Sequence, residues 1–101
     1  MAAKIKPCRP RTDRDRLILL WAISSACARR PEGVTVFDII RVLGVKYSRL
    51  MGARREHTLT WLRANGLAEW QRLGRSFLWR PTPTGLATLA AAYASGECFE
   101  S

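Results

Sequence analysis

The sequence predicts a mainly α-helical domain with one small β-hairpin, in the order helix, helix, helix, strand, strand, helix. Three observations carry this reading. Apolar residues recur at helical spacing in the second, third and last stretches, and the first is apolar on nearly every side. Leu67 to Leu73 and Ser76 to Thr82 are rich in apolar and aromatic residues and flank Gly74, which reads as a hairpin. Glycine, alone or as Asn65-Gly66, stands just past each helical stretch, where a left-handed terminal residue is favoured.

The chain has 101 residues, enough for one domain. An apolar content of 48% with four tryptophans supports a core and excludes disorder throughout. A core of this size is marginal, and such chains often gain stability by oligomerising. The net charge is +9, and all the bases but Lys4, Lys6 and Lys46 are arginine. Arginine's planar fork binds phosphate or a guanine edge with two hydrogen bonds, so the charge points to a polyanionic partner. A GC-rich genome would explain arginine over lysine, but not base over acid. Cys8, Cys27 and Cys98 are odd in number, widely spaced and without a CxxC. They predict free thiols in a reducing, cytoplasmic setting rather than disulfides. A zinc site would have to gather all three with His57, which the spacing disfavours.

Residues 1–11 carry two prolines and four bases and read as a flexible basic arm. No apolar run approaches a membrane span, and a charged Thr12–Arg16 follows the arm, so no secretory signal is expected. Thr12 is a good N-cap for a first helix running to about Arg29, with Asp13 and Asp15 in its first turn. Its apolar residues predict a central element or one shared with a second subunit. Thr35 caps a second helix, roughly Val36 to Leu43, with Phe37, Ile40 and Leu43 expected inward. After Gly44, Val45 is expected to plug the turn.

The third stretch spans about Ser48 to Ala64. Met51, Thr58, Leu59 and Leu62 share one face; Arg49, Ala53, Glu56, His57 and Thr60 share the other. Arg55 falls in the apolar arc. Gly52 divides the stretch, which allows a short helix at 46–51 before a helix starting near Ala53. Pro81 closes the second hairpin strand, since it cannot donate to the ladder. Thr82-Pro83-Thr84 starts the last helix, with Leu86, Leu89, Ala90 and Tyr93 as its expected inward stripe. Residues 96–101 read as a frayed tail.

Three segments then resemble a known family. Leu59-Thr60-Trp61-Leu62-Arg63-Ala64-Asn65-Gly66-Leu67 resembles a recognition helix that ends in Asn-Gly-Leu. Glu69, Trp70, Arg72, Gly74, Arg75 and Phe77 resemble a strand-turn-strand wing. Pro81-Thr82-Pro83-Thr84-Gly85-Leu86 resembles a Leu-Thr-x-x-Gly lead into a closing helix. In this order, over about residues 12–95, they are similar to the winged helix-turn-helix superfamily, most closely its MarR/ArsR/PadR-like bacterial members. Lys46 to Gly52 departs from the pattern as an insertion between the second and third helices. The resemblance implies a third helix in the major groove of double-stranded DNA and a wing on an adjacent minor groove or backbone.

The charge pattern points the same way. Lys46, Arg49, Arg54, Arg55, Arg63, Arg72, Arg75 and Arg80 share a stretch whose acids are Glu56 and Glu69. Neutralising phosphates with such a surface gives salt-dependent binding. The candidate DNA contacts are Lys46, Arg49, Arg54, Arg55 and His57 on the third stretch, and Arg72, Arg75 and Ser76 at the wing. Thr58 and the tryptophans read as core or interface. Enzyme chemistry is not expected: there is a single histidine and no P-loop, GxSxG or HExxH. The expected function is a DNA-binding transcriptional regulator in the manner of a repressor, nucleoid-associated and without a cofactor. Its expected form is a homodimer through the first and last helices on a pseudo-palindromic site. The alternatives are a winged helix that docks on an acidic protein, as an assembly subunit or phage inhibitor, and one that binds RNA.

Overall fold

A computed structural model describes residues 8–44, 47, 50 and 52–96. Among them are α1 (Cys8–Cys27), α2 (Val36–Leu43), α3 (Ala53–Ala64), β1 (Ala68–Leu73), β2 (Ser76–Pro81) and α4 (Pro83–Ala94). The described chain is mainly helical with one antiparallel hairpin, in the predicted order. None of these helices is long and apolar enough to cross a membrane.

α1 is the centre, packing against α2, α3, α4 and β2. Ile18, Leu19, Leu20, Trp21, Ala22 and Ile23 are buried in succession, as a helix apolar all round requires. That burial takes place inside the chain, which is the first of the two alternatives the sequence offered, a central helix rather than one shared with a second subunit. The helix also begins at Cys8 rather than after Thr12, taking residues 8–11 out of the expected arm. Pro10 does not stop it there, because N–H groups of a first turn have no helical acceptor to lose. At the other end α1 stops at Cys27, short of Arg29, and the chain leaves through turns closed by Arg29 N to Ala26 O and Arg30 N to Cys27 O.

Thr35 and Asp38 form a capping box at the start of α2. Ile39 and Leu43 are buried, but Phe37 is 77% exposed, contrary to the sequence expectation. The stripe that packs is Val36, Ile39 and Leu43. Phe37 shares its helical row with Arg41, which has to reach solvent. Val45 lies outside the described residues; Tyr47 and Leu50 are the buried residues of this connection, Tyr47 edge-on to Trp21 with ring centroids 6.1 Å apart.

The hairpin pairs Ala68 with Pro81 through to Leu73 with Ser76. Its turn is Gly74-Arg75; only Gly74 has a positive φ, 66°, the arrangement of a type II′ turn that suits strand twist. A Val34–Trp79 bridge ties β2 to the α1–α2 connection. α4 is capped by Thr82, whose Oγ1 accepts from Gly85 N at 3.0 Å and donates to Gly66 O. Its inner face is Gly85, Leu89 and Ala92, whereas Leu86 and Tyr93 are 48% and 47% exposed, against the stripe expected. A Cβ at Gly85 would sit 2.0 Å from Leu67 O. Close backbone approach through the smallest residue therefore decides which side of α4 packs.

Candidate nucleic-acid interface

α3 starts at Ala53, after Gly52 at φ +63°, matching the later of the two starts the sequence allows. Leu59 and Leu62 are buried and anchor its inner face. Thr58 is inward as well, its hydroxyl donating to Arg54 O at 2.8 Å. Facing away are Glu56, His57, Thr60, Arg63 and Ala64, all exposed. A shallow groove of about 550 Å³ is lined by Glu56, His57, Thr60, Trp61 and Ala64. A second, of about 360 Å³, lies between α3 and the hairpin and is lined by Thr60, Arg63, Ala64, Trp70 and Trp79. Thr60 and Ala64 belong to both, so α3 and the hairpin present one continuous surface.

Strand alternation places Trp70, Trp79, Arg72 and Phe77 on the same hairpin face. They continue the surface as alternating cations and rings. The Arg63 guanidinium lies 4.5 Å from the Trp70 ring centre. Trp70 meets Phe77 edge-on at 4.6 Å. Arg72 lies 5.9 Å from the Phe77 ring and donates from Nε to Gly74 O at 3.1 Å. A guanidinium over a ring face is held without being neutralised, so Arg63 and Arg72 keep their charge for another partner. Arg75 and Ser76 are exposed at the turn.

The remaining arginines of the basic stretch divide differently. Arg54 pairs with Asp15 of α1 at 3.4 Å, the carboxylate 6% and the guanidinium 51% exposed. Arg55 pairs with Glu56 and is only 14% exposed, which resolves its place in the apolar arc: the side chain is largely covered. Arg80 pairs with its cross-strand neighbour Glu69 at 2.9 Å. The structure thus brings His57 and Arg72 onto the α3–hairpin side, leaves Arg75 exposed at the turn and Ser76 on the opposite face of the hairpin, ties Arg54 to α1 and withdraws most of Arg55. Lys46 and Arg49 lie outside the described residues. Arg63 and Thr60 also line this surface and are absent from the candidate set. Their signal was the complement of the Leu59–Leu62 stripe, since 56, 57, 60, 63 and 64 form the solvent face of such a helix.

Of the tryptophans, Trp21 and Trp79 are buried and Trp61 and Trp70 are half-buried. Arg16 of α1 lies 3.9 Å over the Trp61 ring. Cys27 Sγ donates to Trp79 O at 3.4 Å. Burial pushes its thiol above the usual range; Arg80 opposes that shift and Glu32 adds to it. A thiol so held is a weak nucleophile. Compared with protein-family models, curated proteins and solved structures, the chain shows no match to any of them.

Proposed function

We propose that this chain is a winged helix-turn-helix protein that binds double-stranded DNA, with α3 as its recognition helix and the β1–β2 hairpin as its wing. The observation that carries the reading is the continuity of the two grooves through Thr60 and Ala64, with Arg63 lining one of them, Arg72 on the hairpin face it borders and Arg75 exposed at the turn. No carboxylate among the described residues pairs with these three arginines. His57 and Thr60 supply the polar groups that read base edges, and the arginines neutralise phosphate. The pairing of Arg54, Arg55 and Arg80 makes the electrostatic contribution smaller than the +9 charge implies. Regulation of transcription, by repression, is the part of the proposal that rests on the motif resemblance to bacterial winged helix-turn-helix proteins alone.

A dimer on a two-fold site is part of the proposal, formed through α4 alone. That helix has no charged residue, and Leu86 and Tyr93 stand out from it. The same exposed apolar residues, with arginines already matched to carboxylates, support a second reading, docking on an acidic protein.

The test is fluorescence anisotropy with random-sequence duplex DNA and with RNA, from 50 to 200 mM salt. Arg63, Arg72 and Arg75 predict a log K against log salt slope of about −3 per protomer, and about −5 for a dimer engaging both wings. Neutralising Arg75 should flatten that slope by about 1. Equal affinity for RNA, or no duplex binding at 50 mM salt, overturns the proposal.

A further inference from the structure

We infer that the cleft between the C-terminal end of α1 and α2 is a binding site for a phosphate group, separate from the α3–hairpin surface. The cleft holds about 410 Å³, and its polar lining is Ser25, Arg29, Arg30, Asp38 and Arg41. None of these residues lines either groove described above.

Two guanidinium groups meet one carboxylate there, and a third arginine, Arg29, lines the cleft beside them. Asp38 is fixed first. Its Oδ2 accepts from Thr35 N at 3.2 Å and from Thr35 Oγ1 at 3.1 Å, as part of the α2 capping box. Arg30 then reaches Oδ2 at 3.6 Å, and Arg41 reaches Oδ1 at 3.4 Å. Asp38 is thus a positioning residue: it holds one arginine from the α1–α2 connection and one from α2 on the same cleft. It offsets only one of the three charges. Each guanidinium carries five N–H donors, and Arg30 and Arg41 each reach Asp38 through a single nitrogen. The remaining forks, with Arg29 and the Ser25 hydroxyl, offer several donors around a doubly positive cleft. That inventory suits the several oxygens and double charge of a phosphate monoester better than the two oxygens of a carboxylate.

A dianionic phosphate of this kind comes from a small phosphorylated molecule; the backbone of bound DNA, whose diester phosphates carry one charge on two free oxygens, is the other source and the weaker fit. Isothermal titration of the full chain with inorganic pyrophosphate tests the site. One molecule is expected to bind per chain, and Arg30→Gln and Arg41→Gln are each expected to weaken binding about tenfold. Both side chains are exposed, and circular dichroism checks that the variants remain folded. The double variant Arg63→Gln/Arg75→Gln serves as the control, and pyrophosphate affinity is expected to be unchanged there. If the control weakens binding as much as the cleft variants do, or if the cleft variants bind like the parent, the attraction is diffuse and the inference fails.

Duplex DNA titrated into Arg30→Gln/Arg41→Gln identifies the source. A loss of duplex affinity in step with pyrophosphate affinity assigns the site to backbone phosphate. Undiminished duplex affinity with pyrophosphate lost assigns it to a small molecule. The inference does not depend on the α3–hairpin reading, because pyrophosphate binding is measured without DNA.

Discussion

α1 and α4 are both rich in apolar residues, yet they use them in opposite ways. α1 runs through the middle of the molecule, and its apolar side chains meet α2, α3, α4 and β2. α4 lies on the outside: Gly85, Leu89 and Ala92 face in, and Leu86 and Tyr93 face out. Apolar content alone therefore does not say how much of a helix is buried. What differs is the number of neighbours the chain can supply. Three helices and a strand surround α1, while among the described residues α4 packs mainly on α1 and β2, with Leu67 against Gly85.

The comparison is sharpest where each helix is cut. Leu19→Ala removes a fully buried side chain from the centre of α1, and a cost of about 2–5 kcal/mol is expected. A small marginal domain would lose most of its stability, measurable as a collapse of the urea midpoint. If Leu19→Ala costs no more than a surface change, α1 is not the centre of the fold. Gly85→Ala comes next. The added methyl meets Leu67 O at 2.0 Å, and the backbone has to move. A loss of about 1–3 kcal/mol is expected, with the melting temperature falling by roughly 5–20 °C. An unchanged melting point would mean that α4 does not sit as closely on Leu67 as described.

Capping matters more to α4 than to α1, since α4 has fewer packing contacts to hold it. Thr82→Ala removes both the bond from Gly85 N and the bond to Gly66 O, and about 1 kcal/mol is expected. Amide exchange in the first turn of α4 should accelerate while exchange in the middle of α1 stays slow. The capping box of α2 gives a pH-dependent counterpart. Hydrogen bonds from the Thr35 backbone and hydroxyl, with Arg30 and Arg41 beside it, hold the Asp38 carboxyl below its ordinary value of 3.8, burial opposing. A lowered folded pKa means stability that is present above that value and is lost as pH falls through the folded pKa. The melting-temperature gap between the parent and Asp38→Asn should therefore be constant near neutrality and close below about pH 4. A gap that persists into strong acid would show that the charge contributes nothing.

The element order was legible because it rests on local signals: helical periodicity, Asn65-Gly66, Gly74 between two strands and Thr82-Pro83 before a helix. The start of α3 was only partly legible: Gly52 marks a place to split the run, but the periodicity also allowed one stretch from about Ser48, and the structure starts the helix at Ala53. Less legible was which face of a helix packs. In α2 the sequence favoured Phe37, the largest side chain, but the row holding Val36, Ile39 and Leu43 packs and leaves Arg41 in water. In α4 the missing side chain of Gly85 set the face, which a reading weighted towards large residues overlooks. Which arginines keep their charge free was illegible for another reason. Asp15 and Arg54 are distant in sequence, and nothing local shows that they meet at 3.4 Å. Charge in a stretch is additive, but its availability depends on long-range pairing. That His57, Arg72, Arg75 and Ser76 are exposed was legible because an outward helix face and a hairpin turn are local features.

The smallest expected effect on folding decides what the outer face of α4 is for. Leu86→Ser/Tyr93→Ser replaces two half-exposed side chains that the fold does not enclose, so stability of the single chain should change by about 0.5 kcal/mol or less. If a second copy covers this face, the variant should shift from dimer to monomer in light scattering, and affinity for a two-fold DNA site should fall more than affinity for a half-site. An exposed Leu or Tyr alone is ordinary on a protein surface. Two of them on an uncharged helix make a face without the polar rows that usually separate a surface helix from its neighbours in solution. A parent that remains monomeric at high concentration, both free and on DNA, would remove the dimer. The contrast between α1 and α4 would then reduce to a central helix and one that closes the domain with its spare apolar side in water.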